Sequence, residues 1–518
     1  MDDKIPDSVQ KKSDNLGKQI FRGTLIIIFV SILAKLSAFL SEAVNAAFMG
    51  TSKESDAYYM VAGIQQVLYP MLSIGIWKVF LPVYKDKITR EGHGAAESLS
   101  NKMISFFSLA SLAAVILLMV FSRQVVSVVA TGFTGETREL CIDLVRISAP
   151  MYLFIVAAAI YAVMLQCHNK FFGSQIREVA SHLPSILVAI LLYRHFGIRV
   201  MALALVAGGI LRLLIELPFV DWGYRYKPDF RFKGKEFGLM LKRLPSALLS
   251  EGVQQINALI DKSMASSFPE GAVSALNYGN RLCNVFSGLL SSAISTAMFP
   301  QMVELISQKK HRELSGLLTK ILNLFLLLMV PVTVACVLFS SDLVSAVYER
   351  GAFQAESTLL TSGVFTCYSI GLLFAASSAV VSNIFYGFGD TRTPLLISVF
   401  HMFVNVGLNL WLSRLIGVKG LALATSLSAV LTYGIRLMLV KKIVSLDWKS
   451  MMWTCIKTVL ASAVACGVAY FAASLAGANV LLRLLVAAGT AVPLYLAAAK
   501  LMKVQAMSDL FVLLRKKK

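Results

Sequence analysis

Long apolar stretches separated by short polar segments run through most of this 518-residue chain. They recur at helical length, about twenty residues or more, which is the length needed to cross a bilayer core of about 30 Å. The pattern predicts an all-α polytopic membrane protein with about 14 transmembrane helices. Their approximate limits are 23–49, 56–82, 103–121, 140–166, 178–193, 200–220, 239–267, 273–300, 315–340, 355–386, 393–413, 420–440, 451–473 and 479–501.

The composition supports this class. Hydrophobic residues make up 57% of the chain and charged residues 15%, against about 25% charged in an average soluble protein. The apolar content excludes a disordered chain. A net charge of +20 would suit nucleic acid, but the basic residues flank apolar stretches, as the positive-inside rule describes. The sequence therefore predicts no nucleic-acid partner.

The distribution of lysine and arginine also predicts the orientation. With the N-terminus inside, the loops densest in basic residues, at 225–235 and 307–313, and the terminal 515–518 all lie on the inner side. An even number of spans returns the C-terminus to the same side. The polar start of the chain predicts a cytoplasmic tail and no cleavable signal peptide. We therefore expect both termini to be cytoplasmic.

The chain repeats itself at an offset of about 220 residues. GIRVMALALVAGG at Gly197 matches GVKGLALATSLSA at Gly417, and LQCHNKFFGS at Leu165 matches FYGFGDTRTP at Phe385. Parallel repeats of this kind are typical of transporters. The predicted domains are a cytoplasmic N-terminal tail (1–22), an N-terminal six-helix bundle (23–220), a basic cytoplasmic linker (221–238), a C-terminal six-helix bundle (239–440), two additional transmembrane helices (441–501) and a basic cytoplasmic tail (502–518).

Ionisable side chains inside the predicted spans are candidate functional groups, because each costs about 2.5–3.5 kcal/mol to place at the bilayer centre. Lys35 and Glu42 are seven residues apart on the first span and share a helical face. The alternative for this pair is a salt bridge to a neighbouring helix. Asp56 begins the second span, where an ordinary helix N-terminal carboxylate would also be stabilised.

Spans seven and eight carry Glu251, Asn280 and Arg281. A guanidinium that faces a cavity is suited to bidentate contact with a phosphate, whereas an arginine one turn into its helix can also reach the outer headgroups. Arg212 and Glu216 are four residues apart on span six, so we expect them to satisfy each other structurally.

A further group combines amide, hydroxyl and carboxylate oxygens. Asn405 and Asn409 share a face of span eleven, Thr425 lies on span twelve and Asp261 on span seven. Hard cations prefer oxygen ligands of this kind. Hydrogen bonding between helices is the alternative. His401, one turn before Asn405, fits a packing residue better than a proton relay.

Catalytic motifs are missing from the sequence. It contains no nucleotide-binding loop, no serine-hydrolase elbow and no zinc-protease motif, and the predicted outer loops are short. The sequence therefore predicts a transporter and not an enzyme. Transport would draw on an ion gradient, the membrane potential or downhill substrate flow, with no cofactor.

Three segments carry a family resemblance. They are ALIDKSMASSFPEGAVSALNYGNRL (258–282) followed by SGLLSSAISTAMFPQM (287–302), SDAYYMVAG at Ser55, and YERGAFQAES at Tyr348 followed by FYGFGDTRTP at Phe385. These segments resemble the MurJ (MviN) family of lipid II flippases, within the superfamily of multidrug, oligosaccharidyl-lipid and polysaccharide exporters. The resemblance extends over nearly the whole chain.

The resemblance implies a fold and a function. The fold is a V-shaped pair of six-helix bundles in the bacterial inner membrane, with a basic central cavity for a pyrophosphate and a groove between the last two helices for a polyprenyl tail. The implied function is transport of lipid II from the inner to the outer leaflet by alternating access, for peptidoglycan biosynthesis and cell shape. The implied partners are a polyprenyl-linked glycan, membrane lipids and cell-wall synthesis proteins.

The resemblance also points to individual residues. Arg281 matches the family's arginine of span eight, Asp56 matches its aspartate of span two, and Lys35 stands at the first arginine of the pattern SRxLGFxR[DE]. Ser41 replaces the second arginine of that pattern, and Tyr69 stands where another arginine is expected. A lysine does not replace bidentate phosphate binding by arginine. The predicted substrate-binding residues are Lys35, Glu42, Asp56, Glu251, Asn280 and Arg281.

The group of oxygen donors is similar to the sodium site of some family members, so Na⁺ is the candidate coupling ion. The predicted ion-binding residues are Asp261, Asn405, Asn409 and Thr425, and no other metal site is expected. Asn409 stands where a carboxylate is expected, which would lower the charge of the site.

Alternative functions remain open at this point. Loss of two arginines would also suit a flippase for another lipid-linked exopolysaccharide or teichoic-type repeat unit. A cation-coupled multidrug antiporter of the same fold would need an acidic cavity lined by aromatic residues. A membrane-embedded glycosyltransferase would need a larger outer loop than the sequence provides.

Overall fold

A computed structural model describes residues 7–507 of the chain. Within this range, it does not describe the side chains of residues 7–25, 28, 249–251, 253, 254, 289, 290, 292, 293, 295–297, 299 and 300. Residues 7–507 form twenty α-helices and one 3-10 helix, and no strand occurs among them. The predicted all-α class is confirmed.

The N-terminal half begins with a helix that starts at Asp7, inside the predicted tail 1–22. A 3-10 helix, Leu217–Phe219, ends this half. Its α-helices are α1 (Asp7–Met49), α2 (Lys53–Glu91), α3 (His93–Val120), α4 (Ser122–Val129), α5 (Gly135–Ser148), α6 (Met151–Cys167), α7 (Phe171–Ala180), α8 (Leu183–Leu191), α9 (Tyr193–Phe196) and α10 (Arg199–Leu214).

The C-terminal half follows the same order and then adds two helices. Its elements are α11 (Lys235–Ala265), α12 (Ala272–Ser307), α13 (His311–Leu338), α14 (Ser340–Tyr348), α15 (Ala355–Ile370), α16 (Leu372–Gly387), α17 (Arg392–Ile416), α18 (Val418–Lys441), α19 (Trp448–Ser474) and α20 (Val480–Leu501).

The internal repeat is visible in these bounds. The helices α3 and α13 are both 28 residues long, and each is followed after one residue by a short helix. The next two helices of each half form a bent pair: α5 and α6 meet at 41°, and α15 and α16 at 43°. The predicted pair of repeated bundles with two additional helices is confirmed.

A neighbouring helix approaches each bend closely through a glycine. In the first half, a Cβ atom on Gly209 of α10 would lie 3.1 Å from the carbonyl oxygen of Met151, at the start of α6. In the second half, a Cβ atom on Gly371, between α15 and α16, would lie 2.7 Å from the Cα atom of Ser426 on α18. A larger residue at either glycine would force these helices apart.

Fewer helices qualify as membrane spans than the sequence predicts. Within residues 7–507, nine helices are long and apolar enough to cross a membrane, or up to eleven if each bent pair is one span. The number fourteen is not confirmed. The predicted span 178–193 is broken into α7, α8 and α9, with Pro184 in the first turn of α8. Two further predicted spans, 239–267 and 273–300, are not among these eleven. They correspond to α11 and α12, and α11 carries ionisable residues along its length.

The described chain divides into two compact units. Unit 1 comprises the described residues up to Met49 and Lys53–Leu259, and unit 2 comprises Gly50–Ser52 and the described residues from Ile260 onward. This division falls inside α11, whereas the sequence placed the boundary in the basic linker 221–238. The predicted domain limits stay a prediction.

The connection between α6 and α7 packs against the segment that follows α10. The ring of His168 stacks on Trp222, with centroids 3.8 Å apart and planes 6° apart. The Oη atom of Tyr84 lies 3.3 Å from the Nε2 atom of His168. Lys170 Nζ donates to Asp221 Oδ2 at 2.5 Å. Burial of the ring, and then the nearby His93, lower the pKa of His168 to about 4.

Protonation of His168 is therefore expected to destabilise unit 1. Because the folded pKa lies below the ordinary value near 6.5, the stabilisation from the neutral ring is complete above pH 6.5 and is lost as the pH falls through about 4. The melting temperature of His168→Gln should fall less between pH 6.5 and pH 4 than that of the wild type. Thermal unfolding in detergent measures this, with the exposed His195→Gln as control. The same pH dependence in wild type and His168→Gln would contradict the assignment.

Candidate functional site

The four predicted ion-binding side chains meet in unit 2. Asn409 Nδ2 donates to Asp261 Oδ1 at 2.6 Å and to Asn405 Oδ1 at 3.0 Å. Thr425 Oγ1 donates to Asp261 Oδ2 at 3.1 Å, and Asn405 Nδ2 donates to Thr425 Oγ1 at 3.1 Å. Both asparagines are fully buried, and Asp261 is 5% exposed. The structure thus brings a carboxylate, two amides and a hydroxyl together away from solvent.

Three helices position this cluster. The i, i+4 spacing on α17 places Asn405 and Asn409 on one face, which packs against Thr425 on the paired helix α18. The helix α11 supplies Asp261 close to its C-terminal end. His401, one turn earlier on α17, lies with Nδ1 3.3 Å from Thr432 Oγ1, which agrees with a packing residue.

The donor set of the cluster contains the carboxylate, amide and hydroxyl oxygens that hard cations prefer. The amide nitrogens of Asn405 and Asn409 now make the hydrogen bonds, and rotation of an amide by 180° presents its oxygen to the same centre. All four side chains of the cluster were predicted from the sequence as ion-binding residues.

Three predicted substrate-binding residues lie on α1 and α2 of unit 1. Lys35 is exposed and Glu42 half-buried on α1, within a helix segment apolar enough to span a membrane. Asp56 is 4% exposed in the first turn of α2. The predicted roles of these three residues stay predictions.

The other three lie on α11 and α12. Asn280 and Arg281 are half-buried on α12, and Asn280 Oδ1 accepts a hydrogen bond from Asn284 Nδ2 at 2.6 Å. The side chain of Glu251 on α11 lies outside the described residues. Near the C-terminal end of α11, Lys262 Nζ donates to Asn277 Oδ1 of α12 at 3.0 Å.

A buried ion-pair network in unit 1 was not predicted. Glu178 Oε1 accepts from the hydroxyl of Tyr69 at 2.5 Å and from Arg212 Nη1 at 3.0 Å. Arg177 Nε lies 3.5 Å from Glu178 Oε1 and 3.6 Å from Glu216 Oε1. Glu216 is fully buried. The sequence signal that could have indicated this network is the pair of adjacent charges, Arg177 and Glu178, at the start of an apolar stretch.

The expected mutual pairing of Arg212 and Glu216 is wrong. Arg212 pairs with Glu178, and Glu216 pairs with Arg177. The i, i+4 relation is not kept because α10 ends at Leu214, so Glu216 lies in the turn before the 3-10 helix. Both residues are nevertheless structural in the sense expected, since each is part of a buried ion pair.

The network also places an arginine next to Tyr69, the position where the family resemblance predicts an arginine. The Arg212 guanidinium lies over the Tyr69 ring, 4.2 Å from its centroid, and donates to the Tyr69 hydroxyl. This is a cation–π contact reinforced by a hydrogen bond. A guanidinium is thus present next to position 69, but it comes from α10.

Comparison with known proteins agrees with the resemblance. A family profile described as "Lipid II flippase MurJ" matches residues 45–488. The probable lipid II flippase MurJ of Rickettsia prowazekii is 25% identical over 421 residues, 80% of this chain and 83% of that protein. The lipid II flippase MurJ of Burkholderia cenocepacia is 26% identical over 424 residues, 80% of this chain and 82% of that protein.

Two solved structures share the fold. A lipid II flippase MurJ in an inward closed conformation matches with a TM-score of 0.78 and 22% identity, over 92% of this chain and 98% of that one. An inward-facing multidrug transporter of the MATE family matches with a TM-score of 0.65 and 13% identity, over 81% of this chain and 98% of that one. Because the family profile spans most of the sequence, the chain belongs to the MurJ family of lipid II flippases.

Proposed function

We propose that this multi-pass bacterial membrane protein is a flippase for lipid II, the polyprenyl-pyrophosphate-linked precursor of peptidoglycan. It moves this lipid from the inner to the outer leaflet by alternating access, and it acts as a transporter and not as an enzyme. The observation that carries the proposal is the family match over residues 45–488. Both termini are assigned to the cytoplasm from the distribution of basic residues, and cell-wall synthesis proteins are the proposed protein partners.

The proposed substrate contacts follow from the chemistry of a pyrophosphate. A guanidinium forms two parallel hydrogen bonds to a phosphate, so we assign pyrophosphate recognition to Arg281, with Lys35 as a second cation. The polar residues assigned to the rest of the glycan-linked headgroup are Glu42, Asp56, Glu251 and Asn280. The half-buried position of Arg281 supports this assignment, because the side chain stays partly accessible.

Complementation tests the proposed function. The wild-type protein is expressed in a bacterium depleted of its own lipid II flippase, and its presence in the membrane is confirmed by immunoblot. Restored growth and cell shape are the expected result. Absence of rescue at normal membrane levels would contradict lipid II as cargo and favour another lipid-linked glycan, which an assay of capsule or teichoic polymer export would then detect.

We also propose that the cluster of Asp261, Asn405, Asn409 and Thr425 holds Na⁺. The bound ion would supply a positive charge that stabilises the conformation in which the four oxygens converge, and so bias the transport equilibrium by differential binding. The convergence of the four side chains on three helices supports this role.

Removal of the Asp261 charge is expected to abolish the response to Na⁺. The wild-type melting temperature should rise when choline chloride is replaced by NaCl at constant ionic strength, since a ligand that binds only the folded state stabilises it. Asp261→Asn should show no such rise, while Asp143→Asn, which removes a carboxylate from an exposed ion pair, should respond like the wild type. A full Na⁺ response in Asp261→Asn would contradict the site.

A further inference from the structure

A cavity of about 550 Å³ lies in unit 2 where α19 begins and α20 has ended. Lys449, Trp453 and Lys457 follow one another at four-residue intervals along α19 and therefore share a helical face. Lys503 comes from the segment after α20, so two separate parts of the chain supply lysines. Thr454 and Val504, 4% and 3% exposed, also line it.

The charge of the cavity is positive. Three ammonium groups line it with one carboxylate, that of Asp447. Asp447 Oδ1 already accepts from the backbone N–H of Ser450 at 2.9 Å, which caps α19. Lys457 Nζ donates to the carbonyl oxygen of Lys503 at 3.4 Å, which ties the two sides of the cavity together. Among the described residues, no carboxylate forms an ion pair with these three lysines. The cavity therefore suits an anion.

Apolar side chains next to the cavity indicate the kind of anion. Both α19 and α20 are apolar enough to span a membrane, so the cavity lies where they leave the apolar layer. Met452, Trp453 and Ile456 on α19 are 63%, 55% and 44% exposed, and Leu501 at the end of α20 is 82% exposed. An exposed tryptophan at the end of a span is typical of the headgroup level. A ligand with a charged head and apolar chains would fill both environments.

We propose that this cavity binds the phosphate of an anionic phospholipid headgroup, with the acyl chains along the exposed apolar side of α19 and α20. The lysines bind the phosphodiester, and Trp453 lies at the boundary between headgroup and chains. Basic pockets between spans on the cytoplasmic side are suited to such headgroups, and the distribution of basic residues assigns this end of α19 to that side. The site does not depend on the identity of the transported cargo.

Lipid binding to the purified full-length protein tests the site. Native mass spectrometry would compare retention of phosphatidylglycerol with retention of phosphatidylcholine, for the wild type and for the triple variant K449A/K457A/K503A. Each lysine near a membrane surface contributes a factor of about five in affinity, so the triple variant should bind phosphatidylglycerol about a hundredfold more weakly. Retention of phosphatidylcholine should change little.

Two matched variants separate charge at this cavity from charge in general. K227A/K233A/K235A removes the same charge from the basic linker and should retain phosphatidylglycerol. K449R/K457R/K503R keeps the charge in the cavity and should also retain it, even if the alanine variant is unstable. Equal loss in the linker variant, or loss in the arginine variant with an unchanged fold, would overturn the site.

A soluble competitor identifies the source of the phosphate. Glycerol 1-phosphate carries the same phosphate chemistry without acyl chains, so we expect it not to displace phosphatidylglycerol at equal concentration. Displacement at equal concentration would overturn the lipid assignment in favour of a soluble phosphate. Equal retention of phosphatidylglycerol and phosphatidylcholine by the wild type would overturn it as well.

Discussion

Arg281→Ala is expected to fail to rescue a bacterium depleted of its lipid II flippase, although the variant reaches the membrane at the wild-type level. Loss of a charged hydrogen-bonding partner of a phosphate reduces binding by about a hundredfold or more. The stability cost should be small, because Arg281 is half-buried and forms no ion pair among the described residues. Arg281→Lys should rescue only partly, since an ammonium group cannot bind a phosphate in the bidentate way.

The matched control is Arg414→Ala. Arg414 is an exposed arginine in the last turn of α17, so its loss removes one positive charge from the same unit without affecting the proposed contact. It should rescue growth like the wild type. Growth restored by Arg281→Ala, at the same membrane level, would refute the assignment of Arg281 to the pyrophosphate.

Glu178→Ala is expected to cause the largest loss of stability in unit 1. Its carboxylate accepts hydrogen bonds from Tyr69 and Arg212 and lies 3.5 Å from Arg177 Nε. Removing one partner of a fully buried ion pair costs about 3–5 kcal/mol because the remaining charge is left uncompensated. The Glu178 side chain is 30% exposed, so the expected cost lies toward the lower end of this range. Thermal unfolding in detergent should show a clear fall in melting temperature. Arg212→Ala, which leaves the opposite charge, should also act mainly through stability.

An exposed ion pair provides the comparison for Glu178. Arg123 Nη2 lies 3.1 Å from Glu139 Oε2, and the two side chains are 63% and 57% exposed. Arg123→Ala should therefore change the free energy of unfolding by less than about 1 kcal/mol. The double variant E178A/R212A should lose less stability than the sum of the single variants. A melting temperature of Glu178→Ala equal to that of Arg123→Ala would show that the network contributes little.

The features that were predictable from the sequence depend on local periodicity. The apolar stretches gave the helices, the offset between Gly197 and Gly417 gave the repeat, and the i, i+4 spacing gave the common face of Asn405 and Asn409. The oxygen cluster could be proposed because Asp261, Asn405, Asn409 and Thr425 place oxygen donors inside predicted spans, and because they resemble the sodium site of some family members. The first three signals require knowledge of only one helix or one segment at a time.

Other features depend on how helices pack. The choice of Glu178 as partner of Arg212 follows from the meeting of α7 and α10, and no spacing along the chain encodes it. The breaks inside the predicted spans 140–166 and 355–386 also escaped prediction, although Pro150 and Gly371 stand at the two breaks. The cavity at α19 brings Lys457 next to Lys503, which follows α20, whereas in the sequence its lysines are typical of the basic residues that flank a membrane span.

The close approach at the two bends has a consequence for recognising repeated hinges in other sequences. The glycine belongs to α10 in one half, at Gly209, and to the bend itself in the other, at Gly371. The two halves thus share a tight helix crossing at the bend, but the residue without a side chain lies on opposite partners of that crossing. A search for repeated hinges should therefore score both helices of a crossing together, because a glycine on either helix allows the close approach.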